Sequence, residues 1–266
     1  LSVGMDEIPD YLGKAFVAIE DERFYQHNGI DFKSIIRAGY QFFKTGGEEA
    51  QGASTITQQL LKNTVFTDWT SEGNNKIKKI KRKIQEQYLA LEITKYYSKD
   101  EILLRYMNAI NLGQNTLGVE SASLRYFGKH CSELTISECA VIASITQNPS
   151  KYNPIRHPEE NVKRREKCLN KMLELGFISQ TQYDEAMADT DAVYERIGLY
   201  DIDYQEANAT TGSYFSDAVY EQVKQDLILS GYNENMAETL LTSGGLRVES
   251  TLDPKIQAIL NEEYAD

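Results

Sequence analysis

Apolar residues recur every three or four positions along most of the first 190 residues, a spacing that gathers them on one side of an α-helix. Alternating patterns typical of strands are scarce in the same part of the chain. The helices predicted by this periodicity cover residues 8–19, 32–43, 77–91, 100–109, 117–126, 135–146 and 159–175. We therefore expect a mainly α fold whose polar and glycine-rich loops are long enough to shape a cleft.

The pattern changes after about residue 186, where the sequence becomes acidic and rich in tyrosine. The stretch TSGGLRVESTLDPKIQAIL, residues 242–260, predicts a turn, a strand and the start of a helix. We therefore expect two units. Residues 1–186 form a helical domain, and residues 187–266 form a small α+β appendage that leads towards a further module.

The segment from Lys76 to Lys83 is unusual because six of its eight residues are basic. On a helix, Lys79, Arg82 and Glu86 share one face. The apolar residues of this helix lie on the opposite face and are expected to pack on the core: Ile77, Ile80, Ile84 and Tyr88. The lysines repel one another unless an anion offsets the repulsion, and a diphosphate does so through charge-assisted hydrogen bonds. The alternative is a solvated face with a local pair between Arg82 and Glu86.

The rest of the chain makes this basic segment a local exception, since the 266 residues carry a formal charge of −12. Nucleic-acid binders normally present a basic surface, so nucleic acid is not an expected partner. Three cysteines and three histidines lack the spacing of a zinc site. No apolar run reaches the roughly 18 residues that cross a bilayer. The first residue is Leu, so we expect that sequence precedes it.

Two further stretches carry candidate chemistry. Glu20, Asp21 and Glu22 end an apolar-periodic helix, where acidic groups oppose the helix dipole unless they have another use, such as acid or base catalysis. Surface charge or a local salt bridge is the alternative. In QGASTITQQLLKN, residues 51–63, Thr55 and Gln58 predict a capping box. The remaining polar residues of that stretch suit a sugar phosphate.

Together these stretches resemble the peptidoglycan glycosyltransferases, family 51, of class A penicillin-binding proteins. The order and spacing agree over roughly residues 6–175. The motifs that carry the resemblance are EDERFYQHNG at 20–29, GASTITQQLLKN at 52–63, RKIQE at 82–86, RYFGK at 125–129 and NPSKYNP at 148–154.

The resemblance implies a lysozyme-like helical domain that polymerises lipid II into β-1,4 glycan strands during cell wall biogenesis. Glu20 takes the position of the general base, which deprotonates the 4-hydroxyl of the acceptor sugar, and undecaprenyl diphosphate leaves with inversion. Glu86 takes the position of the second catalytic carboxylate, near the diphosphate. The implied substrate-binding residues are Ser54, Gln58, Gln59, Lys62, Arg82 and Lys83. Lys79 and Gln114 are further candidates, at positions where this sequence departs from the family's motifs.

The resemblance also implies surroundings and partners. No organic cofactor is expected, and a divalent cation, Mg²⁺ or Mn²⁺, is compatible with the diphosphate, with Asp21 as its candidate ligand. The implied partners are lipid II, the growing glycan strand, moenomycin-type inhibitors and a membrane surface. The expected location is the extracytoplasmic face of the bacterial cytoplasmic membrane, with an anchor helix upstream and a transpeptidase domain downstream. The amphipathic segment 30–47 is expected to insert partly into the membrane through Ile35, Ile36, Phe42 and Phe43.

Two other functions remain open from the sequence. A lysozyme-like hydrolase or lytic transglycosylase would use Glu20 and would shorten glycan strands, whereas a polymerase lengthens them. A binding domain without catalysis would use the basic helix for anionic lipid headgroups or nucleic acid.

Overall fold

The protein is described by a computed structural model that covers residues 1–45, 52–66, 76–114, 116–198, 200, 214–232, 234–243 and 248. Helices make up nearly all of the regular structure in these residues. Short 3₁₀ turns occur at Met5–Glu7, Phe24–Gln26 and Cys131–Glu133. The helices are α1 Asp10–Glu20, α2 Phe32–Lys44, α3 Ile56–Thr64, α4 Lys76–Ile93, α5 Lys99–Ala109, α6 Val119–Phe127, α7 Ile136–Ala143, α8 Pro158–Glu174, α9 Gln180–Ala188, α10 Thr190–Glu195, α11 Tyr214–Leu229 and α12 Glu234–Ser243.

Local capping explains where several of these helices begin. A Ser or Thr side chain accepts a hydrogen bond from the backbone three residues later, and a Glu or Gln there bonds back to the cap, which satisfies two free N–H groups. The pairs are Thr55 with Gln58, Ser98 with Glu101, Thr135 with Glu138 and Ser179 with Gln182. The predicted capping box at Thr55 and Gln58 is thus confirmed.

The hydrophobic core forms around α7, most of whose residues are buried. Helices α1 and α8 both pack against α7, and α1 also packs against α8. Large side chains that fill this core include Leu12, Phe16, Tyr106, Ile142, Leu169 and Met172. Because α1 is held in the core, its last residue, Glu20, is fixed at the edge of the densest part of the molecule.

A second, smaller cluster joins the beginning of α2 to α3 and α4. Ile30, Leu61 and Ala90 are its buried members. Ile35 packs against the cluster from α2. Since Ala90 presents only a methyl group, α4 can approach the loop before α2 closely.

The orientation of α4 is opposite to the one predicted. Ile80, Ile84 and Tyr88 are 61%, 61% and 63% exposed, whereas Glu86 and Ala90 are fully buried. The prediction assumed that the apolar stripe must face the core. The buried face instead carries a carboxylate whose charge is matched by cations, and a paired charge of this kind tolerates burial.

Helix α2 also exposes apolar side chains, with Phe32, Ile36 and Tyr40 in one row on its surface. The predicted amphipathic character is thus present, although Ile35 packs inward. The side chains of Phe42 and Phe43, and of Ile77 on α4, lie outside the described residues. In the described part of the chain, every helix is too short or too polar to span a lipid bilayer.

The helical domain extends beyond the boundary predicted at residue 186, which falls inside α9. Val193 of α10 is buried in the same core, and the N–H of Gly198 donates to the carbonyl of Tyr126 at 3.0 Å. Further along, α11 and α12 pack on each other through Lys224, which pairs with Glu238 at 2.7 Å. The strand predicted near 246–251 lies outside the described residues apart from Val248.

The three cysteines are buried and free. Cys139 and Cys168 belong to the core around α7. Burial raises the pKa of both thiols, and that of Cys168 reaches about 12, so they remain neutral.

Candidate active site

Glu20, the last residue of α1, has a carboxylate that accepts hydrogen bonds from three other parts of the fold. Gln59 Nε2 donates to Oε2 at 3.0 Å. Arg164 Nη2 donates to Oε1 at 2.6 Å, and the Thr146 hydroxyl donates to the same oxygen. The carboxylate is therefore held in one orientation by groups from α3, from α8 and from the segment after α7.

A buried tyrosine fixes the amide of Gln59. The Tyr106 hydroxyl donates to Gln59 Oε1 at 3.2 Å, so the amide nitrogen must point towards Glu20. Burial first, and the nearby charge of Glu20 second, raise the pKa of Tyr106 well above its ordinary value. The phenol consequently remains a proton donor and keeps the amide in this orientation.

Asp21 connects the end of α1 to the beginning of α3. The Ile56 N–H donates to Asp21 Oδ2 at 3.0 Å, and His27 Nε2 lies 2.9 Å from Oδ1. Asp21 is buried by these contacts, and no group of three or more metal-binding side chains occurs among the described residues. Its predicted part in binding a cation stays a prediction.

Gly29, the last residue of the acidic motif, sits where that loop meets α4. Its φ is +86°, and an added Cβ would lie 2.1 Å from the carbonyl oxygen of Ala90. Only glycine fits both the left-handed backbone and the close approach. The Thr55 hydroxyl donates to the Gly29 carbonyl at 2.7 Å, so α3 is joined to the same point.

A second cluster surrounds Glu86 on the inner face of α4. Lys83 Nζ lies 2.9 Å from Glu86 Oε2 and donates to Ser54 Oγ at 2.9 Å. Arg82 Nη1 donates to the other oxygen of Glu86. The Lys83 side chain remains 40% exposed while that of Glu86 is 1% exposed, so two cations share one buried carboxylate and an excess positive charge faces the solvent. This arrangement suits an anionic ligand.

The start of α3 lies between the two clusters. Ser54, just before the helix, contacts Lys83, and Gln59 in the helix contacts Glu20. The segment around the capping box therefore brings the two predicted carboxylates to one part of the molecule. Ser54, Gln59, Arg82 and Lys83 all take part in this arrangement.

The other predicted substrate-binding residues are placed differently. Gln58 is 1% exposed, and its Oε1 accepts the Thr55 N–H at 3.0 Å, so it stabilises the start of the helix. Lys62 is half-buried near the end of α3, and Lys79 is exposed about one turn before Arg82. Gln114, whose φ is +51°, lies in the loop between α5 and α6.

Three residues around Glu20 were missed by the sequence reasoning: Tyr106, Thr146 and Arg164. Tyr106 fits the apolar periodicity of the helix predicted at 100–109, a pattern that indicates core packing and gives no sign of a role at the site. Thr146 and Arg164 flank the NPSKYNP motif, to which no site residue was assigned. The nearby motif was the only sign in the sequence that these two residues belong to a site. Thr146 and Arg164 lie 126 and 144 residues from Glu20, so no local pattern could relate them to it.

The RYFGK motif contributes to the scaffold. Arg125 Nη1 donates to the carbonyl of Tyr200 at 2.8 Å, and the Tyr126 hydroxyl donates to the carbonyl of Leu112 at 2.8 Å. Lys129 pairs with the buried Glu138 at 2.7 Å. These contacts fasten α6 to α7 and to the residues after α10.

The transglycosylase family model matches residues 1–173. The chain belongs to the transglycosylase family. Penicillin-binding protein 1A of Clostridium perfringens strain 13 is 40% identical to it over 264 residues, which cover 96% of this chain and 37% of the relative. Penicillin-binding protein 1F of Bacillus subtilis strain 168 is 38% identical over 255 residues, covering 96% of this chain and 32% of the relative. The chain thus spans about a third of the length of these relatives.

A crystal structure of penicillin-binding protein 1A from Haemophilus influenzae matches 89% of this chain and 22% of that chain, with a TM-score of 0.43 and 22% identity. The transglycosylase match and the named relatives confirm the resemblance drawn from the motifs. This is a peptidoglycan glycosyltransferase domain of the class A penicillin-binding protein type, and its mainly α fold agrees with that assignment.

Proposed function

We propose that this transglycosylase domain polymerises lipid II into β-1,4 glycan strands, with Glu20 as the general base. The proposal rests chiefly on one observation: Glu20 is held by three donors beside the helix start that also contacts the cations around Glu86. A fixed carboxylate next to an anion-binding cluster matches a reaction that removes a proton from a sugar hydroxyl and releases a diphosphate.

In the proposed reaction, Glu20 accepts the proton of the 4-hydroxyl of the acceptor N-acetylglucosamine. The oxygen then forms a bond to the anomeric carbon of the donor, and the bond from that carbon to the diphosphate oxygen breaks on the opposite face. The electron pair leaves with undecaprenyl diphosphate, and the configuration inverts. One carboxylate is sufficient as base because the leaving group needs no protonation.

Arg82 and Lys83 stabilise the charge that grows on the departing diphosphate through charge-assisted hydrogen bonds. Glu86 holds both cations in place before the donor binds. A bound Mg²⁺ or Mn²⁺ would supply additional positive charge at the diphosphate. A moenomycin-type inhibitor, which carries a phosphate-linked lipid, would bind to Arg82 and Lys83 through its phosphate.

The test is incubation of labelled lipid II with the wild-type protein and with Glu20→Gln, followed by gel separation of the glycans. A ladder of long strands from the wild type alone is the expected result. Glu22→Gln is a matched control, because Glu22 lies in the same acidic motif but pairs with Arg37 at 3.2 Å and Lys171 at 3.4 Å near the surface. Normal polymerisation by Glu20→Gln would remove Glu20 from the role of base, and shortening of added glycan strands would favour the hydrolase.

We also propose that α2 and α4 contact the membrane that presents the lipid substrate, at the extracytoplasmic face of the cytoplasmic membrane. The exposed rows on these helices are Phe32, Ile36 and Tyr40 on α2 and Ile80, Ile84 and Tyr88 on α4. Exposed lysines next to the second row, Lys79 and Lys81, suit anionic headgroups. Flotation with vesicles that contain anionic lipid should decrease for a variant with Ile80→Ser and Ile84→Ser, and undiminished flotation would contradict this orientation.

A further inference from the structure

The two oxygens of the Glu20 carboxylate have unequal surroundings. Oε1 accepts hydrogen bonds from both the Thr146 hydroxyl and Arg164 Nη2. Among the residues that the structure describes, Oε2 accepts one, from Gln59 Nε2 at 3.0 Å. A carboxylate oxygen accepts about two hydrogen bonds, so the capacity of Oε1 is used while Oε2 keeps a site for a further donor.

Arg164 reaches Glu20 from a fixed position. Its Nη1 donates to Gln147 Oε1 at 2.8 Å, and its guanidinium carbon lies 5.0 Å from the centre of the Tyr152 ring. Its side chain is 10% exposed, and that of Glu20 is 9% exposed. An ion pair so shielded from water is stronger and better oriented than one at the surface.

We propose that Arg164 is a positioning residue that binds Oε1 of Glu20 and thereby presents Oε2 as the atom that receives the acceptor's proton. The inference rests on the proposed function of Glu20 as base. Protonation of Oε1 would occupy one of the two lone pairs that accept from Arg164 and Thr146, so one of these hydrogen bonds would be lost. When the proton of the 4-hydroxyl moves to Oε2, Oε1 becomes a carbonyl oxygen and still accepts both bonds. Both hydrogen bonds to Oε1 therefore remain after the proton transfer, and the carboxyl group need not rotate during the cycle.

The experiment compares Arg164→Ala, Arg164→Lys and the control Lys163→Ala in lipid II polymerisation. Lys163 is the adjacent residue of α8, but it is exposed and pairs with Glu160 at 2.7 Å. Misplacement of a catalytic group by about 1 Å can cost on the order of 100-fold in rate, so Arg164→Ala should lower kcat by about that factor while KM and inhibitor affinity stay unchanged. Arg164→Lys should fall between Ala and the wild type, since an ammonium can replace the bond to Glu20 but not the bond to Gln147 as well.

A double variant separates this inference from the proposed function. If Arg164 acts only through Glu20, Arg164→Ala should cause no further loss in the Glu20→Gln background. Full activity of Glu20→Gln would overturn the proposed function itself, whatever the effect of Arg164. Wild-type kcat in a folded Arg164→Ala, or a loss confined to KM or melting temperature, would overturn the positioning role. Should Arg164→Ala fail to fold, wild-type kcat in Arg164→Lys would overturn it equally.

Discussion

The carboxylates of Glu20 and Glu86 are both removed from water and both paired with cations, but their partners come from different distances along the chain. Glu86 pairs with residues three and four positions before it on the same helix. The donors to Glu20 lie 39, 126 and 144 residues away. Glu20, the proposed base, is thus fixed by contacts from several parts of the domain, whereas the cluster around Glu86 is mostly a property of one helix.

This difference suggests a division of labour between the two carboxylates. A proton acceptor must be held within a fraction of an ångström, and contacts from several elements supply that restraint. The cations around Glu86 are held by that carboxylate, but the Lys83 side chain is 40% exposed, so it can contact an anion that arrives from the solvent.

The largest expected effect is on the rate. Glu20→Gln removes the proton acceptor, and general base catalysis typically contributes 10²–10⁴-fold, so kcat should fall by about 10³-fold. Glu86→Gln keeps an oxygen that can accept hydrogen bonds from Arg82 and Lys83 and should cost about tenfold. Steady-state rates with lipid II measure both, and equal losses would contradict the division of labour.

The next effect is on stability at the contact that joins the two regions. Gly29→Ala would force a left-handed backbone on a residue with a Cβ and would place that Cβ 2.1 Å from the carbonyl oxygen of Ala90. We expect a loss of about 3 kcal/mol in the free energy of unfolding. Gly176→Ala is the matched control, because its φ is +69° but nothing lies within 4 Å, and it should cost about 1 kcal/mol. Urea denaturation measures the free energy of unfolding of both variants. Equal losses would show that α4 does not pack tightly against Gly29.

A third carboxylate, that of Asp31, tests whether ion pairing here also stabilises the fold. Burial alone would raise the pKa of Asp31, but hydrogen bonds from Arg23 and Ser34 outweigh it and lower the pKa to about 2, below the ordinary value of 3.8. The stabilisation is therefore complete above about pH 4 and is lost as the pH falls towards 2. It corresponds to about 2 kcal/mol.

Urea midpoints measured from pH 6 down to pH 2 should show this loss in the wild type. Asp31→Asn should be less stable at pH 6, and its stability should depend less on pH in the acidic range. If the stability of Asp31→Asn fell with decreasing pH as steeply as that of the wild type, the pH dependence would arise from other carboxylates.

The smallest effect concerns the orientation of Gln59. Tyr106→Phe removes the donor that fixes the amide, and a loss of about tenfold in kcat is expected. Tyr126→Phe is the control, because it also removes a buried hydroxyl, whose bond to the Leu112 carbonyl is 2.8 Å long, but not one near Glu20. Similar melting temperatures with a rate loss only in Tyr106→Phe would support the role, whereas equal rates would contradict it.

The same comparison explains how much the sequence could predict. Helices α1, α4 and α8 follow from periodicity, and the pairing of Arg82 with Glu86 follows from their four-residue separation. The donors Thr146 and Arg164 could not be paired with Glu20, because no local rule relates residues more than a hundred positions apart. The short local contacts were therefore predictable, and the long-range ones required the fold.

The wrong prediction of which face of α4 is buried has a different cause. Periodicity identified its apolar row correctly, but it cannot tell which face a helix buries when the polar face is neutralised by its own ion pairs. Ala90 gave a small signal, since an alanine in line with Glu86 permits a close helix contact. The boundary predicted at 186 lies inside α9, and the acidic composition of the following residues gives no sign that Val193 is buried in the same core.

The contact between Gly29 and Ala90 has a further consequence for the geometry of catalysis. It is a contact between two backbones, so its length is set by atomic radii and not by the rotamers of long side chains. The contact limits sterically how far α4 can shift along the loop that contains Gly29. The distance between Glu20, the proposed base, and the cations around Glu86 is then set by the main chain, and it does not depend on which partners the individual side chains contact.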